Sequence, residues 1–464
     1  MITDKFNLIF LLVIIFIIQV FKFIFFAPDI EFGGDAIRYW VYAKDLKFDI
    51  QSFVNSSDLI EIRWGIWLLP NVLINIFSSD VKFYYLSSFI SFNLSLIIFT
   101  IIIHNLTNLR CAMIFALIII IDALLYRFNF QLLPSTMVLL PLSICIYFFI
   151  NFLNSENEKY KNISFFISVL SLFWMYGVKE TNIFFSVGFF LYLIIYEKKY
   201  LKYFIFLFSL FYLIETIVLS ILIDEFSVLG KIHHLIAHKS DMTYYLKNNA
   251  ELDKFYDRGI TNRWYTARMN HSVLFFLSFV AIIYFFSSNF TEKNKNIIFI
   301  SFLATSFVIC TSFFIISLDP IFPGQPYFKR YTAPYVPIAY ILTIYFINNI
   351  FKSKKLVFNL GFLFIFIFYI SQDINGIIFN IKYFEYKVQN IKKHFNYYNN
   401  LHSKLERADC IITKNGKKLK YSLHLIPNEK RNNKINKILT TPWIKEGNKK
   451  ILYINEKCEK KFKM

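Results

Sequence analysis

One carboxylate follows a pair of glycines in the stretch IEFGGDAIRYW at 30–40. Arg38 and Tyr39 come within about one helical turn of Asp35. A carboxylate in such a position suits a general base, which removes a proton from an attacking hydroxyl. The glycines permit backbone angles that other residues avoid, and so would let the carboxylate enter a cleft. Asp35 also fits the N-cap of a helix predicted over 36–47, a role that is compatible with catalysis.

Cationic side chains form a second group, next to the ends of apolar stretches: Arg63, Arg127, Lys179, Lys329 and Arg330. Arginine and lysine neutralise phosphoryl oxygens, and arginine does so with two parallel hydrogen bonds. Charges at membrane depth are costly and usually indicate function. With Asp35 as a base, these cations predict a lipid phosphate held at headgroup level and carrying a group to be transferred.

The elements that must position these residues are membrane helices. The chain has 464 residues, of which 56% are hydrophobic and 20% aromatic. Its apolar residues come in long runs separated by short polar clusters, a pattern typical of a polytopic helical membrane protein. We predict about 11 spans, each near the ~20 residues that cross a bilayer, at 6–27, 82–103, 111–126, 132–153, 161–176, 181–196, 200–222, 272–288, 296–318, 331–351 and 355–372.

The segment WGIWLLPNVLINIF at 64–77 is ambiguous. As a helix it would be about 21 Å long, short of the ~30 Å hydrocarbon core. We interpret it as an interfacial helix in the first outer loop, with its two tryptophans at headgroup level. With the N-terminus inside, the inner connections then carry the lysines and arginines, as the positive-inside rule requires. They are Arg110, Lys159, Lys161, Lys198, Lys199, Lys202, Lys293, Lys295, Lys352, Lys354 and Lys355.

The formal net charge of +19 would indicate nucleic acid in a soluble protein. In a membrane protein it reflects sidedness, so no nucleic-acid partner is predicted. The sequence divides into a transmembrane domain at 1–372, with outer loops at 28–81 and 223–271, and a small basic domain at 373–464 on the outer side. In this tail we predict a hairpin at 408–426, turning at Asn415-Gly416, and a strand within 449–458.

Three short motifs carry a family resemblance over roughly 6–351. They are Gly34-Asp35-Ala36 with Tyr39, Lys179-Glu180-Thr181 at the start of a span, and Arg330-Tyr331 followed by Pro334 and Pro337. The chain thus resembles the GT-C class of polyprenyl-phosphate-sugar glycosyltransferases, which includes the protein O-mannosyltransferases and the lipid A aminoarabinose transferases. The resemblance implies that Asp35 is the catalytic base and that Lys179 and Arg330 contact the donor phosphate.

The sequence also departs from this family. Ala36 follows Asp35, where the mannosyltransferases carry an adjacent Asp-Glu pair. Relatives often have an acid in the outer turn after the third span, but here Gln131 is the nearest polar residue and Asp122 lies one turn deeper. These departures leave open the acceptor class and any second acid. We predict no firm cofactor and leave a divalent metal open.

The sequence therefore predicts an all-α polytopic membrane glycosyltransferase of the bacterial cytoplasmic membrane, with its active site and tail on the extracytoplasmic side. Its partners would be a polyprenyl-phosphate sugar, membrane lipids, and a glycan, lipid or protein acceptor. The residues expected to contact substrate are Arg38, Tyr39, Arg63, Lys179, Glu180, Lys329, Arg330 and Tyr331, and Asp35 is the expected catalytic residue.

Two alternatives stay open at this stage. An O-antigen-type polymerase or ligase also has many spans and outer arginines, and would depend on the arginines of 223–271 while Asp35 was dispensable. A lipid-linked sugar transporter or flippase would need charged or broken helices in mid-membrane. Asp122 and Glu215 are the main mid-span charges here.

Overall fold

A computed structural model describes most of the helical part of the chain and separate pieces of the tail. The described residues are 2–26, 35–44, 62–80, 82–122, 125, 131–222, 260–287, 295–313, 315–318, 321–323 and 333–351, followed by 400, 403, 410–413, 423, 426, 433, 435, 444–446 and 449–453.

Helices account for nearly all of the described residues up to 351. In chain order they are α1 (Ile2–Phe26), α2 (Asp35–Lys44), α3 (Trp64–Ile76), α4 (Lys82–Leu106), α5 (Leu109–Ile121), α6 (Pro134–Met137), α7 (Leu139–Asn154), α8 (Glu158–Val178), a 3₁₀ turn (Glu180–Asn182), α9 (Ile183–Tyr196), α10 (Lys198–Leu222), α11 (Ile260–Ser287), α12 (Lys295–Phe313) and α13 (Tyr335–Phe351).

Five of the described helical segments are long and apolar enough to cross a membrane. They are Phe6–Phe25, Lys82–Leu106, Pro134–Asn154, Glu158–Val178 and Lys198–Ile221. Every predicted span up to residue 351 coincides with a helix, whereas the one at 355–372 lies outside the described residues. The protein is therefore a helical membrane protein, and the number of its spans stays a prediction.

The outermost helices present apolar side chains to their surroundings. Phe10 and Ile17 of α1 are exposed, as are Phe206 and Ile217 of α10. Such surfaces would be unfavourable in water but match the hydrocarbon of a bilayer. By contrast, α4 and α7 are largely buried within the bundle.

Aromatic side chains fill the contacts between the inner helices. Phe149 of α7 stacks on Phe299 of α12 with ring centroids 4.0 Å apart, and it meets Phe189 of α9 at 4.5 Å. Aromatic pairs at these distances add stability beyond the area they bury. The many phenylalanines therefore serve both as lipid-facing surface and as the packed core of the bundle.

One predicted boundary is wrong, the end of the span at 296–318. The span predicted at 296–318 ends as a helix at Phe313, and Ile315–Leu318 pairs antiparallel with Ile321–Pro323 as strands β1 and β2. Pro320 between them disfavours a continuing helix because it lacks an N–H and restricts the residue before it. Helix α11 begins at Ile260, within the predicted outer loop 223–271, and its apolar part, Leu274–Ser287, coincides with the span predicted at 272–288. No glycine or proline interrupts its sequence, so the helix continues into the span.

The described part of the tail contains a three-stranded antiparallel sheet. Strand β3 (Cys410–Thr413) pairs with β5 (Lys449–Tyr453), which also pairs with β4 (Ile444–Glu446). The strand expected in 449–458 is confirmed for these residues. The turn and most of the second strand of the predicted hairpin lie outside the described residues; β3 pairs with β5, and Leu423, within the predicted second strand, is helical. The tail contacts the site-bearing helix directly, where Lys44 Nζ of α2 donates to the carbonyl of Ile426 over 2.6 Å.

Candidate active site

Asp35 begins helix α2 and remains accessible. Its Oδ1 atom lies 3.9 Å from Nη1 of Arg38, one turn later. The Asp35 side chain is 41% exposed, whereas that of Arg38 is 17% exposed. The helix starts one residue earlier than the predicted 36–47, which puts Asp35 in the first turn, where the helix dipole favours an anion. The carboxylate is thus fixed by its backbone while its side chain stays within reach of a bound molecule.

The rest of α2 is enclosed. Its residues from Ala36 to Ala43 are all buried except Arg38. Trp40 packs edge-on against Tyr84 of α4 with ring centroids 5.9 Å apart. At the other end, Asn71 Nδ2 of α3 donates to the carbonyl of Ala43 over 2.8 Å. This packing fixes both the rotation of α2 and its position along its axis.

Arg63 joins α2 to the turn between α8 and α9. Its Nε lies 3.1 Å from Glu180 Oε1 and its Nη2 lies 3.0 Å from Oε2, so the two side chains form a bidentate ion pair. Its Nη1 donates to the hydroxyl of Tyr39 over 3.1 Å. The side chains of Arg63 and Glu180 are 14% and 11% exposed. A continuous set of contacts therefore runs from Glu180 through Arg63 and Tyr39 to the helix that begins with Asp35.

The charge states in this set follow from its surroundings. Burial alone would lower the pKa of the Arg63 guanidinium, but the adjacent Glu180 carboxylate raises that pKa well above its ordinary value. Burial raises the pKa of the Tyr39 phenol, although Arg63 acts in the opposite direction. Arg63 is therefore charged and Tyr39 neutral at physiological pH, as the observed hydrogen bond requires.

Lys179 stands at the junction of α8 and α9. It adopts extended backbone angles, φ −160° and ψ 135°, which end α8. Its carbonyl accepts from the N–H of Asn182 over 2.9 Å, and the Asn182 amide donates to the carbonyl of Met175 over 3.0 Å. These bonds form a sharp turn after α8, and Lys179 and Glu180 both lie in this turn. Lys179 thus lies beside the Arg63–Glu180 pair in sequence and in space.

The structure brings five of the predicted site residues together in two groups that share α2: the Asp35–Arg38 pair, and Tyr39 with Arg63 and Glu180. Lys329, Arg330 and Tyr331 lie outside the described residues, in the segment that precedes the turn at 333–334 and helix α13. Arg63 and Glu180 contact each other, an arrangement that sequence reasoning did not foresee. Their contact with substrate stays a prediction.

Two mid-span carboxylates acquire specific contacts that the sequence did not reveal. Glu215 of α10 accepts from Trp64 Nε1 over 2.5 Å. Asp122, at the end of α5, accepts from the Tyr340 hydroxyl of α13 over 3.1 Å and from the backbone N–H of Leu125 over 2.9 Å. The only indication of these contacts in the sequence was the position of both carboxylates within predicted membrane spans. Gln131 is the uncharged residue nearest the position where relatives often carry an acid, and its side-chain oxygen accepts from the Tyr84 hydroxyl over 2.5 Å.

Within the described residues, no group of three or more His, Cys, Asp or Glu side chains is arranged to hold a metal ion. Chemically, the described site offers an accessible carboxylate, Asp35, at the start of α2 and a partly buried cation, Arg63, just before α3. The first is suited to accepting a proton and the second to stabilising negative charge.

Comparisons with known proteins support the fold. No family model and no curated protein matches the sequence. An oligosaccharyltransferase from Archaeoglobus fulgidus, in complex with Zn and sulfate, aligns with a TM-score of 0.50 and 14% identity, over 86% of this chain and 55% of that one. The AglB oligosaccharyltransferase of the same organism, in complex with an inhibitory peptide and a dolichol-phosphate, aligns with a TM-score of 0.51 and 11% identity, over 93% and 61%.

ArnT from Cupriavidus metallidurans in the apo state matches less well, with a TM-score of 0.44 and 10% identity, over 73% of this chain and 59% of that one. This chain thus spans little more than half the length of the solved structures it resembles. AglB is a GT-C glycosyltransferase. The two oligosaccharyltransferase alignments show the fold alone, and this is the fold of the class that the sequence motifs resemble.

Proposed function

We propose that the protein is an integral membrane glycosyltransferase that moves a sugar from a polyprenyl-phosphate donor to an acceptor on the outer side of the bacterial cytoplasmic membrane. The observation that carries the proposal is the placement of Asp35. Its accessible carboxylate begins a helix that Tyr39 and Arg63 tie to the Lys179–Glu180 turn, in a chain with the GT-C fold. A base and a phosphate-binding cation on adjoining helices are what transfer from a lipid phosphate requires.

The reaction would be a single displacement at the anomeric carbon. The acceptor hydroxyl attacks this carbon while its proton passes to the Asp35 carboxylate. The bond between the anomeric carbon and the phosphate oxygen breaks, and its electron pair stays on the departing polyprenyl phosphate. The configuration at the anomeric carbon inverts. A phosphate paired with cations is a competent leaving group, so the step needs no separate acid.

The cations divide the work of holding the phosphate. Arg63 and Lys179 would face it from the described part of the site, and Lys329 and Arg330 would approach from the segment before α13. Arg38 would bind beside Asp35 and Tyr331 would line the sugar, whereas Tyr39, which is fully buried, would support Arg63. The dolichol-phosphate in the AglB complex supports a lipid phosphate as the sugar carrier. Glycans, lipids and proteins all remain acceptor classes.

The test is Asp35→Asn, assayed for sugar transfer from a polyprenyl-phosphate donor in membranes. Asparagine keeps the size and helix-capping capacity of aspartate but is not a base, so transfer should fall by roughly 10²–10⁴-fold. Asp80→Asn is the matched control, because Asp80 Oδ1 accepts from the N–H of Lys82 at the start of α4 and asparagine preserves this cap. Near-normal transfer by Asp35→Asn would remove Asp35 from the mechanism and favour a polymerase or ligase.

A further inference from the structure

The start of α3 is held from two sides by carboxylates of other elements. Arg63 donates to Glu180 in the 3₁₀ turn after α8, with a shortest distance of 3.0 Å. The next residue, Trp64, donates through Nε1 to Glu215 in α10 over 2.5 Å. Two adjacent residues are therefore bound to carboxylates on two different elements. Together the two contacts restrain the start of α3 from both sides.

Close backbone packing restrains the same helix end. A Cβ atom built on Gly65 would lie 2.6 Å from the backbone nitrogen of Val178 and 2.8 Å from the carbonyl carbon of Gly177. A Cβ atom on Gly177 would overlap the ring of Trp64. Trp174 Nε1 of α8 also donates to the carbonyl of Gly65 over 3.2 Å. Only glycines permit this approach, so the position of Arg63 relative to α8 is fixed within narrow limits.

The bound guanidinium keeps part of its donor capacity. Arginine has five N–H donors, and the contacts of Arg63 among the described residues use its Nε, one hydrogen of Nη2 and one of Nη1. Within the described residues, one N–H on each Nη atom has no acceptor. Glu180 and Tyr39 therefore orient the guanidinium while leaving it able to bind two oxygen atoms at once. A phosphate presents oxygens in this geometry.

We propose that Glu180 and Glu215 are positioning residues that fix the start of α3, so that Arg63 faces the donor phosphate while it holds the Asp35 helix through Tyr39. This inference rests on the proposed function, which supplies the phosphate. It changes the expected role of Glu180, which acts on Arg63 and does not touch substrate. It also gives Glu215 a role, since a carboxylate this deep in a membrane helix is costly unless it performs a task.

A double-mutant cycle separates positioning from direct contact. Arg63→Gln, Glu180→Gln and the double variant are assayed for transfer and for binding of a sugar-free polyprenyl phosphate. Glutamine keeps a polar side chain at both positions, which limits loss of folded protein. We expect each single variant to raise the donor KM more than it lowers kcat, by about tenfold or more. The double variant should match Arg63→Gln, because Glu180 acts through Arg63.

Losses that multiply in the double variant would mean that Glu180 contacts substrate independently, and would overturn the proposal. The exchanged pair, Arg63→Glu with Glu180→Arg, gives a second test. It should recover the thermal stability lost by the single exchanges but not transfer, because the guanidinium then points from the wrong element. Recovery of transfer would show that the pair is merely structural.

Separate variants test the role of Glu215. Glu215→Gln keeps an oxygen that accepts from Trp64 Nε1, so donor binding should change less than about twofold. Glu215→Leu and Trp64→Phe both remove the bond, and each should weaken donor binding by several-fold, as should their combination. Unchanged binding in Glu215→Leu would remove Glu215 from the proposal. Glu158→Gln is the control, since it breaks the exposed Glu158–Lys199 pair of 3.8 Å, and it should leave binding unchanged.

Failure of the proposed function gives a different pattern. If Asp35→Asn transfers sugar normally, the base is misassigned. The double-mutant cycle of Arg63 and Glu180 can still be measured, because it also uses the binding of polyprenyl phosphate. If wild-type protein does not bind polyprenyl phosphate, both the proposed donor and this inference are wrong.

Discussion

Two ion pairs on neighbouring elements differ in how firmly they are made. Asp35 and Arg38 meet through one contact of 3.9 Å, and the Asp35 side chain is 41% exposed. Arg63 and Glu180 meet through two well-aligned contacts of 3.1 and 3.0 Å, with both side chains nearly buried. A loose, accessible pair can release its carboxylate to a substrate, whereas a tight, buried pair holds structure in place. The site therefore combines an adaptable base with a rigid support.

The largest effect should come from removing one partner of the buried pair. Arg63→Ala leaves the Glu180 carboxylate without its cation in a nearly enclosed site, and losing one partner of such a pair costs about 3–5 kcal/mol of unfolding free energy. The measurement is reversible unfolding in mixed detergent micelles. Lys199→Ala, which breaks an exposed pair, is the control. A loss below about 1 kcal/mol would mean that the two pairs do not differ as described.

A smaller effect is expected from the packing beside this pair. Gly177→Ala places a methyl group against the ring of Trp64, and overpacking of this kind costs about 1–3 kcal/mol. Donor binding should weaken as well, because Trp64 adjoins Arg63. Leu170→Ala on the exposed face of the same helix is the control for stability in detergent. Wild-type stability of the Gly177→Ala protein would show that α3 can shift away from α8 at little cost.

A third variant loosens the far end of α2. Asn71→Ala removes the hydrogen bond of 2.8 Å to the carbonyl of Ala43, and such bonds contribute about 0.5–1.5 kcal/mol. We expect a modest fall in thermal stability with transfer largely kept, since Arg63 still holds Tyr39. Asn75→Ala, one turn on and more exposed, serves as control. A large loss of transfer in Asn71→Ala would mean that the position of Asp35 depends on the contact at the far end of α2, and not on Arg63.

The smallest effect on stability should come from the accessible pair. Arg38→Ala removes the long contact to Asp35, and loosely made, partly exposed pairs of this kind contribute about 0–1 kcal/mol. Its effect should fall on transfer instead, because Arg38 flanks the base. Unfolding free energy and kcat are compared in one preparation, with Arg38→Lys as the conservative control. A loss of stability as large as that of Arg63→Ala would erase the distinction between the two pairs.

The sequence predicted what depends on local pattern. Long apolar runs located the helices, and Asp35 after two glycines marked the start of α2 within one residue. It could not predict the pairing of Arg63 with Glu180, which are 117 residues apart, because either charge alone also suits a ligand contact. The strand pairing in the tail was not predicted for a related reason. Asn415-Gly416 favours a local hairpin, but β3 pairs with a strand that begins only at Lys449. Long-range pairing leaves little trace in a single sequence.

The short strands after α12 show a further limit. The run Ile315–Leu318 is apolar enough to extend a membrane helix, yet it forms a strand. A short apolar run does not distinguish the two by periodicity, and the neighbouring Pro320 was the only local sign.

The contact between the tail and α2 bears on how the protein is made. The Ile426 carbonyl that accepts from Lys44 leaves the ribosome 382 residues after Lys44 itself. At about 5–20 residues per second, the two are synthesised roughly 20–80 s apart. The helix that carries Asp35 thus gains this bond only after the helices from α3 to α13 have been synthesised. Assembly of the site is therefore ordered in time, and the contact between α2 and the tail forms after these helices have been made.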